Sequence, residues 1–176
     1  MTQTDMLKLA QGIDRLSAAI GAWAAWLTLF LVLMQFAVVL MRYVLGVGSI
    51  WLSESILYAH AALFMLAAAW TLRDEGHVRV DIFYANASPR AKAIIDLLGA
   101  LLLLLPFMLV IVLFATPYVV RSWAMLERSR EMSGLPVVFL LKTLIPLFAL
   151  ILALQGISQV ISAAVKLRQR NFRRSE

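Results

Sequence analysis

Residues 97–120 read LLGALLLLLPFMLVIVLFATPYVV, a run of 24 residues without one charged side chain. A run of 18 or more apolar residues is long enough to cross the hydrocarbon core of a bilayer as a helix. Similar runs occupy about 16–41, 52–72 and 137–165, and Glu54 and Lys142 are the only charged residues inside them. The sequence therefore predicts an all-α integral membrane protein with four transmembrane helices, forming one domain over residues 1–176.

The composition agrees with a membrane protein. The chain has 176 residues and is 62% hydrophobic, which is more apolar surface than a water-soluble core of this size can bury. Cysteine is absent, which excludes disulfides, thiol nucleophiles and cysteine-ligated metals. The formal charge of +6 does not predict nucleic-acid binding, because the basic residues lie between the apolar runs and at the carboxyl end.

The distribution of Lys and Arg predicts the orientation. One side of the four spans carries Lys8, Arg15, Arg73, Arg79, Arg90, Lys92, Lys166, Arg168, Arg170, Arg173 and Arg174. The other side carries Arg42, Arg121, Arg128, Arg130 and Lys142. Because the side richer in positive charge is normally cytoplasmic, we expect both termini and the central loop in the cytoplasm of a bacterial or archaeal cell. The connections around 43–53 and 121–136 then face outward.

Two helical pieces are predicted beyond the hydrocarbon core. Met6, Leu9, Ile13 and Leu16 recur at helical spacing, which indicates an amphipathic interfacial helix over about 5–15. Ser88-Pro89 is typical of a helix N-cap followed by proline in the first turn. A cytoplasmic extension of the third span is therefore expected from about Pro89.

Glu54 and His60, near the start of the second span, are candidate functional residues. Glu54 is either a proton or cation site, or an interfacial carboxylate that the positive end of its helix or a partner's salt bridge favours. His60 is either a haem or metal ligand, or a packed and hydrogen-bonded side chain. A haem between helices needs paired histidines, and the only other histidine is His77 in the central loop. The packed interpretation is therefore favoured for His60.

Three further features have a functional and a structural interpretation. The segment 77–81 alternates polar and apolar residues, which fits either a docking edge for a subunit or lipid headgroups, or a solvated turn. The charged and aromatic loop 123–136 fits either partner recognition or a solvated connection. The polar stripe of span four contains Gln155, Ser158, Gln159 and Ser162, and we interpret it as helix–helix contacts rather than a substrate groove.

Prolines interrupt two spans, at Pro106, Pro117 and Pro146. The carbonyls they leave unpaired are candidates for an ion path, but a local adjustment of the helix is the commoner outcome. No nucleophile–base set, phosphate-binding loop or metal-ligand cluster is present in the sequence. The chain is therefore predicted to be a scaffold rather than an enzyme.

Several short motifs occur in a fixed order along the chain: Arg42-Tyr43, Trp51-x-x-Glu54, Gly76-His77-Val78-x-Val80-Asp81, Ser122-Trp123, Glu127, Gly134-Leu135-Pro136 and Lys142-x-x-Ile145-Pro146. This ordered set resembles the small membrane subunit, the DctQ-like family, of tripartite ATP-independent periplasmic (TRAP) transporters. Glu54-Ser55-Ile56-Leu57-Tyr58 and Leu154-Gln155-Gly156 are similar to the branch labelled mannitol/chloroaromatic. The resemblance is clearest from Arg42 to about Gln159.

The resemblance implies a subunit of a sodium-driven importer of organic acids. A periplasmic binding protein would capture the solute and a large elevator-type membrane subunit would carry it inward. This chain would brace that subunit among membrane lipids, help to dock the binding protein, and hold no cofactor, because sodium would bind the large subunit. The predicted partner or docking residues are Arg42, Trp51, Glu54, His77, Arg79, Asp81, Trp123, Glu127, Arg128, Glu131 and Lys142.

Two other functions remain alternatives. The first is a stand-alone, homodimeric small transporter in which Glu54 is the coupling carboxylate. The second is a membrane-bound electron-transfer cytochrome.

Overall fold

Four helices account for most of the chain in the computed structural model, which describes residues 3–77, 84 and 86–172, with side chains as far as 168. They are α1 (Gln3–Tyr43), α2 (Ile50–Arg73), α3 (Pro89–Ala124) and α4 (Val138–Phe172). Each is long and apolar enough to cross a membrane, and no strand occurs within these residues. The predicted all-α fold with four membrane-spanning helices is confirmed.

Helix α1 joins the predicted amphipathic segment to the first span without a break. Its 41 residues extend roughly 60 Å, about twice the thickness of the hydrocarbon core. Its buried positions are small residues, namely Ala10, Ser17, Gly21 and Ala24. A Cβ atom at Gly21 would lie 2.5 Å from Cε3 of Trp70, so the absence of a side chain there allows α1 and α2 to cross closely.

The starts of α2 and α3 are fixed by serine caps. The Ser49 hydroxyl accepts a hydrogen bond from the amide of Leu52 at 3.4 Å. The Ser88 hydroxyl accepts one from the amide of Ala91 at 3.2 Å, and Pro89 occupies the first turn. The predicted extension of the third span from Pro89 is confirmed, because α3 continues from that residue into the span.

Helix α3 changes its hydrogen-bonding pattern inside the membrane-spanning part. It is an α-helix over Pro89–Leu98, a π-helix over Gly99–Leu104 and again an α-helix over Leu105–Ala124. The π-helical segment ends just before Pro106. A local change of this kind is one way in which a membrane helix accommodates the missing amide hydrogen of a proline.

Helix α4 is the centre of the bundle. It packs against α1 and α2 on one side and along α3 on the other, and α1 also packs extensively against α2. The buried core joins α2, α3 and α4 through Ala69, Met108, Ala149, Ile151 and Leu152. Large apolar side chains point outward instead, with Trp23 79% and Phe114 76% exposed. Such an outer surface requires a nonpolar solvent or another apolar protein.

Candidate functional site

The connection between α3 and α4 is held against α2 by the carboxylate of Glu54. The Ser129 hydroxyl donates a hydrogen bond to one carboxylate oxygen. The backbone amide of Leu135 donates to the other at 2.5 Å. Both oxygens of Glu54 therefore bind residues 125–137, which we call the outer loop after the orientation that the sequence predicts.

A glycine makes this contact possible. A Cβ atom at Gly134 would lie 2.3 Å from the Ser129 hydroxyl oxygen and 2.8 Å from Oε1 of Glu54. The loop is also closed on itself, because the amide of Ser129 donates to the carbonyl of Leu135 at 3.1 Å. A side chain at position 134 would therefore displace the side chain of Ser129 or the carboxylate of Glu54.

A second carboxylate, Glu127, holds the other end of the outer loop. Its Oε2 accepts from Lys142 Nζ at 2.5 Å and from the Ser122 hydroxyl at 2.6 Å. The backbone carbonyl of Glu127 accepts from the amide of Val138 at 3.1 Å. The hydrogen bond from Lys142, followed by that from Ser122, holds the pKa of Glu127 below its usual range.

Aromatic residues also connect the ends of α3 and α4 near this ion pair. The indole nitrogen of Trp123 donates to the Thr143 hydroxyl at 2.9 Å. The ring of Trp123 meets that of Phe139 edge to face, with centroids 4.6 Å apart. Lys142 Nζ lies 4.0 Å from the centroid of the Tyr118 ring. The ends of α3 and α4 are therefore joined by hydrogen bonds, ring packing and a cation–π contact.

Seven residues form what we call the outer cluster: Glu54, Ser122, Trp123, Glu127, Ser129, Gly134 and Lys142. Apart from Ser129, all of these residues belong to the motifs that carry the resemblance stated above. Glu54 and Ser129, which are 75 positions apart along the chain, meet here. Sequence analysis identified six of the seven members but not the contacts between them. No sequence pattern identified Ser129.

The outer cluster leaves other predicted docking residues exposed. Arg128 and Glu131 project from the outer loop, and Arg42 and Trp51 border the connection between α1 and α2. A recess of about 570 Å³ is lined by residues of both connections, including Arg42, Glu54 and Glu131. The two predicted outward connections thus contribute to one shared surface.

The polar stripe of α4 contacts α1, as predicted for Gln155 and Ser158. Gln155 accepts from the Ser17 hydroxyl at 2.7 Å and donates to Asp14 Oδ1 at 2.9 Å. Ser158 donates to the same oxygen at 2.7 Å and lies within hydrogen-bonding distance of the carbonyl of Ala10, at 3.2 Å. Asp14 was not anticipated. The sequence feature that could have identified Asp14 is its position one helical turn before Ser17, on the face of α1 that carries the buried small residues.

The prediction of a packed, hydrogen-bonded His60 is wrong within this chain. His60 lies on the exposed face of α2, because the neighbouring Ala59 takes the buried position. His77 is also exposed, beyond the end of α2. Arg79, Asp81 and most of the 77–81 segment lie outside the described residues. Within the described part of the chain, no three His, Asp or Glu side chains are placed to bind one metal ion.

These features define a multi-pass α-helical membrane protein whose polar residues join helices and fix a loop at one end of the bundle. The family model for tripartite ATP-independent periplasmic transporters, DctQ component, matches residues 31–166. The chain therefore belongs to the DctQ family and is a small subunit of a TRAP transporter, as the resemblance indicated. No curated protein and no solved structure matches it. The family comprises transporter components rather than enzymes, which agrees with the prediction that the chain is not an enzyme.

Proposed function

We propose that this chain is the small permease subunit of a sodium-coupled TRAP transporter that imports an organic acid. It braces the large elevator-type subunit and helps to dock the periplasmic binding protein. The chain lies in the cytoplasmic membrane, with both termini in the cytoplasm and the outer loop in the periplasm. The solute and sodium sites belong to the large subunit.

The outer cluster is the observation that supports the docking role most strongly. Two carboxylates, Glu54 and Glu127, hold the outer loop at two points, so its exposed residues are presented on a fixed backbone. A fixed surface loses less conformational entropy on binding than a mobile one. Exposed groups of both charges, such as Arg128 and Glu131, suit recognition of a charged soluble partner.

The outward faces of α1 and α3 support the scaffold role. Trp23, Trp26 and Phe36 on α1 are more than 60% exposed, and so are Phe107 and Phe114 on α3. The large subunit would cover part of this apolar surface and lipid the remainder. Small residues suited to close helix approach, such as Ala19 and Ala22, also lie on α1.

The stand-alone transporter is less well supported, because both oxygens of Glu54 already bind donors of the outer loop. A coupling carboxylate must be free to release and bind its ion in each cycle. Glu54 instead has the contacts of a residue that fixes a loop.

Reconstitution into proteoliposomes tests the proposed function. The chain, the large subunit and the binding protein are combined under an inward sodium gradient, with a radiolabelled organic acid that the binding protein retains. Uptake is expected only when all three proteins and the gradient are present. Uptake by this chain alone, or undiminished uptake without it, would contradict the proposal.

A further inference from the structure

The outward face of α1 carries two cations beside the point where the apolar run of this helix begins. Lys8 and Arg15 are both exposed, and the run begins at residue 16. The two residues are two helical turns apart, so they lie on one face of the helix, about 10 Å apart along its axis. The opposite face packs against α4 through Ala10 and Ser17, which are each 2% exposed.

Neither cation is neutralised by the protein. Within the described part of the chain, Lys8 and Arg15 form no ion pair. The carboxylates of this part of α1 are engaged elsewhere. Asp14 accepts hydrogen bonds from two side chains of α4, and Asp5, in the first turn, has an interaction of its own. The positive charge of Lys8 and Arg15 is therefore available to an anionic ligand.

Gly12 leaves a gap between the two cations. It is exposed and lies on the same face, four residues after Lys8 and three before Arg15. A Cβ atom at Gly12 would meet nothing within 4 Å, so no contact inside the chain requires a glycine there. Glycine also makes a helix less stable than alanine does. The two cations therefore flank a stretch of helix surface that carries no side chain.

The same face continues into the apolar run as an exposed apolar surface. Ala19 is exposed one turn after Arg15, and Trp23 and Trp26 beyond it are 79% and 68% exposed. The end of an apolar run lies at the level of the phospholipid headgroups, whichever way the chain is inserted. One face of α1 therefore presents positive charge at headgroup level and apolar surface next to it, toward the centre of the membrane.

This order of surfaces matches an anionic phospholipid. A phosphodiester over Gly12 would lie about 5 Å along the helix axis from each cation, within reach of a Lys or Arg side chain. An acyl chain would then follow Ala19 toward Trp23. A choline headgroup would bring a further cation toward Lys8 and Arg15, so a net negative lipid is favoured. A free phosphate would leave the apolar part of the face uncovered.

We propose that the exposed face of α1 around Gly12 binds the headgroup of an anionic phospholipid of the phosphatidylglycerol type. Lys8 and Arg15 donate charge-assisted hydrogen bonds to the phosphodiester, and Gly12 lets the phosphodiester approach the helix backbone. The acyl chains pack along the face that contains Trp23. The proposal depends on the four-span fold and not on the transporter role.

The test is lipid titration of the full-length chain in a neutral detergent, followed by thermal unfolding. Phosphatidylglycerol should raise the unfolding midpoint more than phosphatidylcholine with identical acyl chains, and inorganic phosphate should not compete with it. Lys8→Gln and Arg15→Gln should each weaken the apparent affinity for phosphatidylglycerol about fivefold, the effect of one cation at a membrane surface. Gly12→Leu should also weaken it, because the new side chain fills the gap while both charges remain.

The matched control is the double variant Arg42→Gln with Arg121→Gln. Both are exposed cations beside apolar runs at the opposite end of the bundle, but they lie on different helices. The control should keep the full response to phosphatidylglycerol, and circular dichroism verifies that each variant folds.

Three results would overturn the proposal. The first is equal stabilisation by the two lipids, which is also expected if an acidic helix of the large subunit covers this face instead. The second is competition by inorganic phosphate. The third is a loss of affinity that is as large in the control as in the α1 variants, or an unchanged response in Gly12→Leu. Because the large subunit is absent from the assay, failure here is separate from failure of the transporter role.

Discussion

Glu54 is the residue whose chemistry distinguishes a structural role from a transport role. Its two carboxylate oxygens accept hydrogen bonds from Ser129 and from the amide of Leu135, which lie 75 and 81 positions away. Hydrogen bonds to a charged group contribute about 1.5–3 kcal/mol each. Glu54 therefore stabilises the position of the outer loop more than any exposed charge of that loop does.

Glu54→Gln should loosen the outer loop without unfolding the bundle. Glutamine retains one carbonyl oxygen, but its amide group cannot accept the second hydrogen bond. We expect faster backbone hydrogen exchange over 125–137 and transport that is reduced but present. Glu131→Gln, at an exposed site of the same loop, is the control for hydrogen exchange. Abolished transport with unchanged exchange would instead favour Glu54 as a coupling carboxylate.

Glu127 gives the outer cluster a defined pH dependence. Its pKa in the folded chain lies below the usual value of 4.5, because Lys142 and Ser122 donate hydrogen bonds to the ionised carboxylate. A depressed pKa contributes stability at pH values above 4.5, and this contribution is lost as the pH falls through the lower folded pKa. The thermal midpoint should therefore fall on acidification below about pH 4.5, and less so in Glu127→Gln. If the thermal midpoints of the unmodified chain and of Glu127→Gln fell equally with pH, the lowered pKa of Glu127 would be contradicted.

Individual residues could be predicted from sequence only in part. Glu54 stood out as the only charge in the second apolar run, Trp123 and Glu127 as members of a charged and aromatic loop, and Lys142 through the family resemblance. Their pairing did not. The partners of Glu54 lie 75 and 81 positions away, and such pairing depends on the path of a loop that has no periodic pattern. Asp14 was missed because it precedes Arg15 and was therefore placed outside the first span.

At the scale of the helices, close packing depends on glycine at two crossings. A Cβ atom at Gly156 of α4 would lie 2.8 Å from Leu104 of α3, at the end of the π-helical segment. The corresponding atom at Gly21 of α1 would lie 2.5–2.6 Å from Trp70 of α2. Each glycine lies at a crossing where an added side chain would require the facing side chain to move.

Gly21→Ala should destabilise the α1–α2 crossing. Overpacking of a well-packed contact costs about 1–3 kcal/mol. Gly12→Ala is a matched control in the same helix, because a Cβ atom there meets nothing within 4 Å. It should be neutral or stabilising by up to about 1 kcal/mol, since alanine is the better helix former. Unfolding in mixed micelles, followed by circular dichroism, compares the two variants. Equal stabilities would show that Trp70 adjusts freely.

Helix positions were largely readable from the sequence, because each apolar run is bounded by charges or caps. The predicted spans lie within the observed helices to within one residue. The π-helical segment Gly99–Leu104 was not predicted. Its hydrogen bonds depend on the missing amide hydrogen of Pro106 and on packing against α4. The leucine-rich sequence of the segment itself contains no pattern that predicts them.

The whole molecule is a bundle in which α4 separates α3 from the α1–α2 pair. This arrangement was not predictable from the sequence. Membrane spans that are apolar on every side lack the periodicity that would identify a buried face. Polar contacts such as those of Asp14 with Gln155 and Ser158 become evident only once the helices are placed together.

The orientation of the chain is testable by single-cysteine labelling, because the natural sequence contains no cysteine. The two substitutions are Asn86→Cys, at an exposed position before α3, and Ser133→Cys, at an exposed position in the outer loop. A membrane-impermeant maleimide should label position 133 in intact spheroplasts, and position 86 only after permeabilisation. Labelling of position 86 from outside would reverse the proposed topology.

Recovery of partners from native membranes tests the central claim most directly. The chain carries an affinity tag, is extracted in a mild detergent, and the proteins retained with it are identified and quantified by mass spectrometry. The account predicts one much larger multi-span membrane protein in a one-to-one ratio with this chain. Recovery of the chain only with further copies of itself would contradict the account.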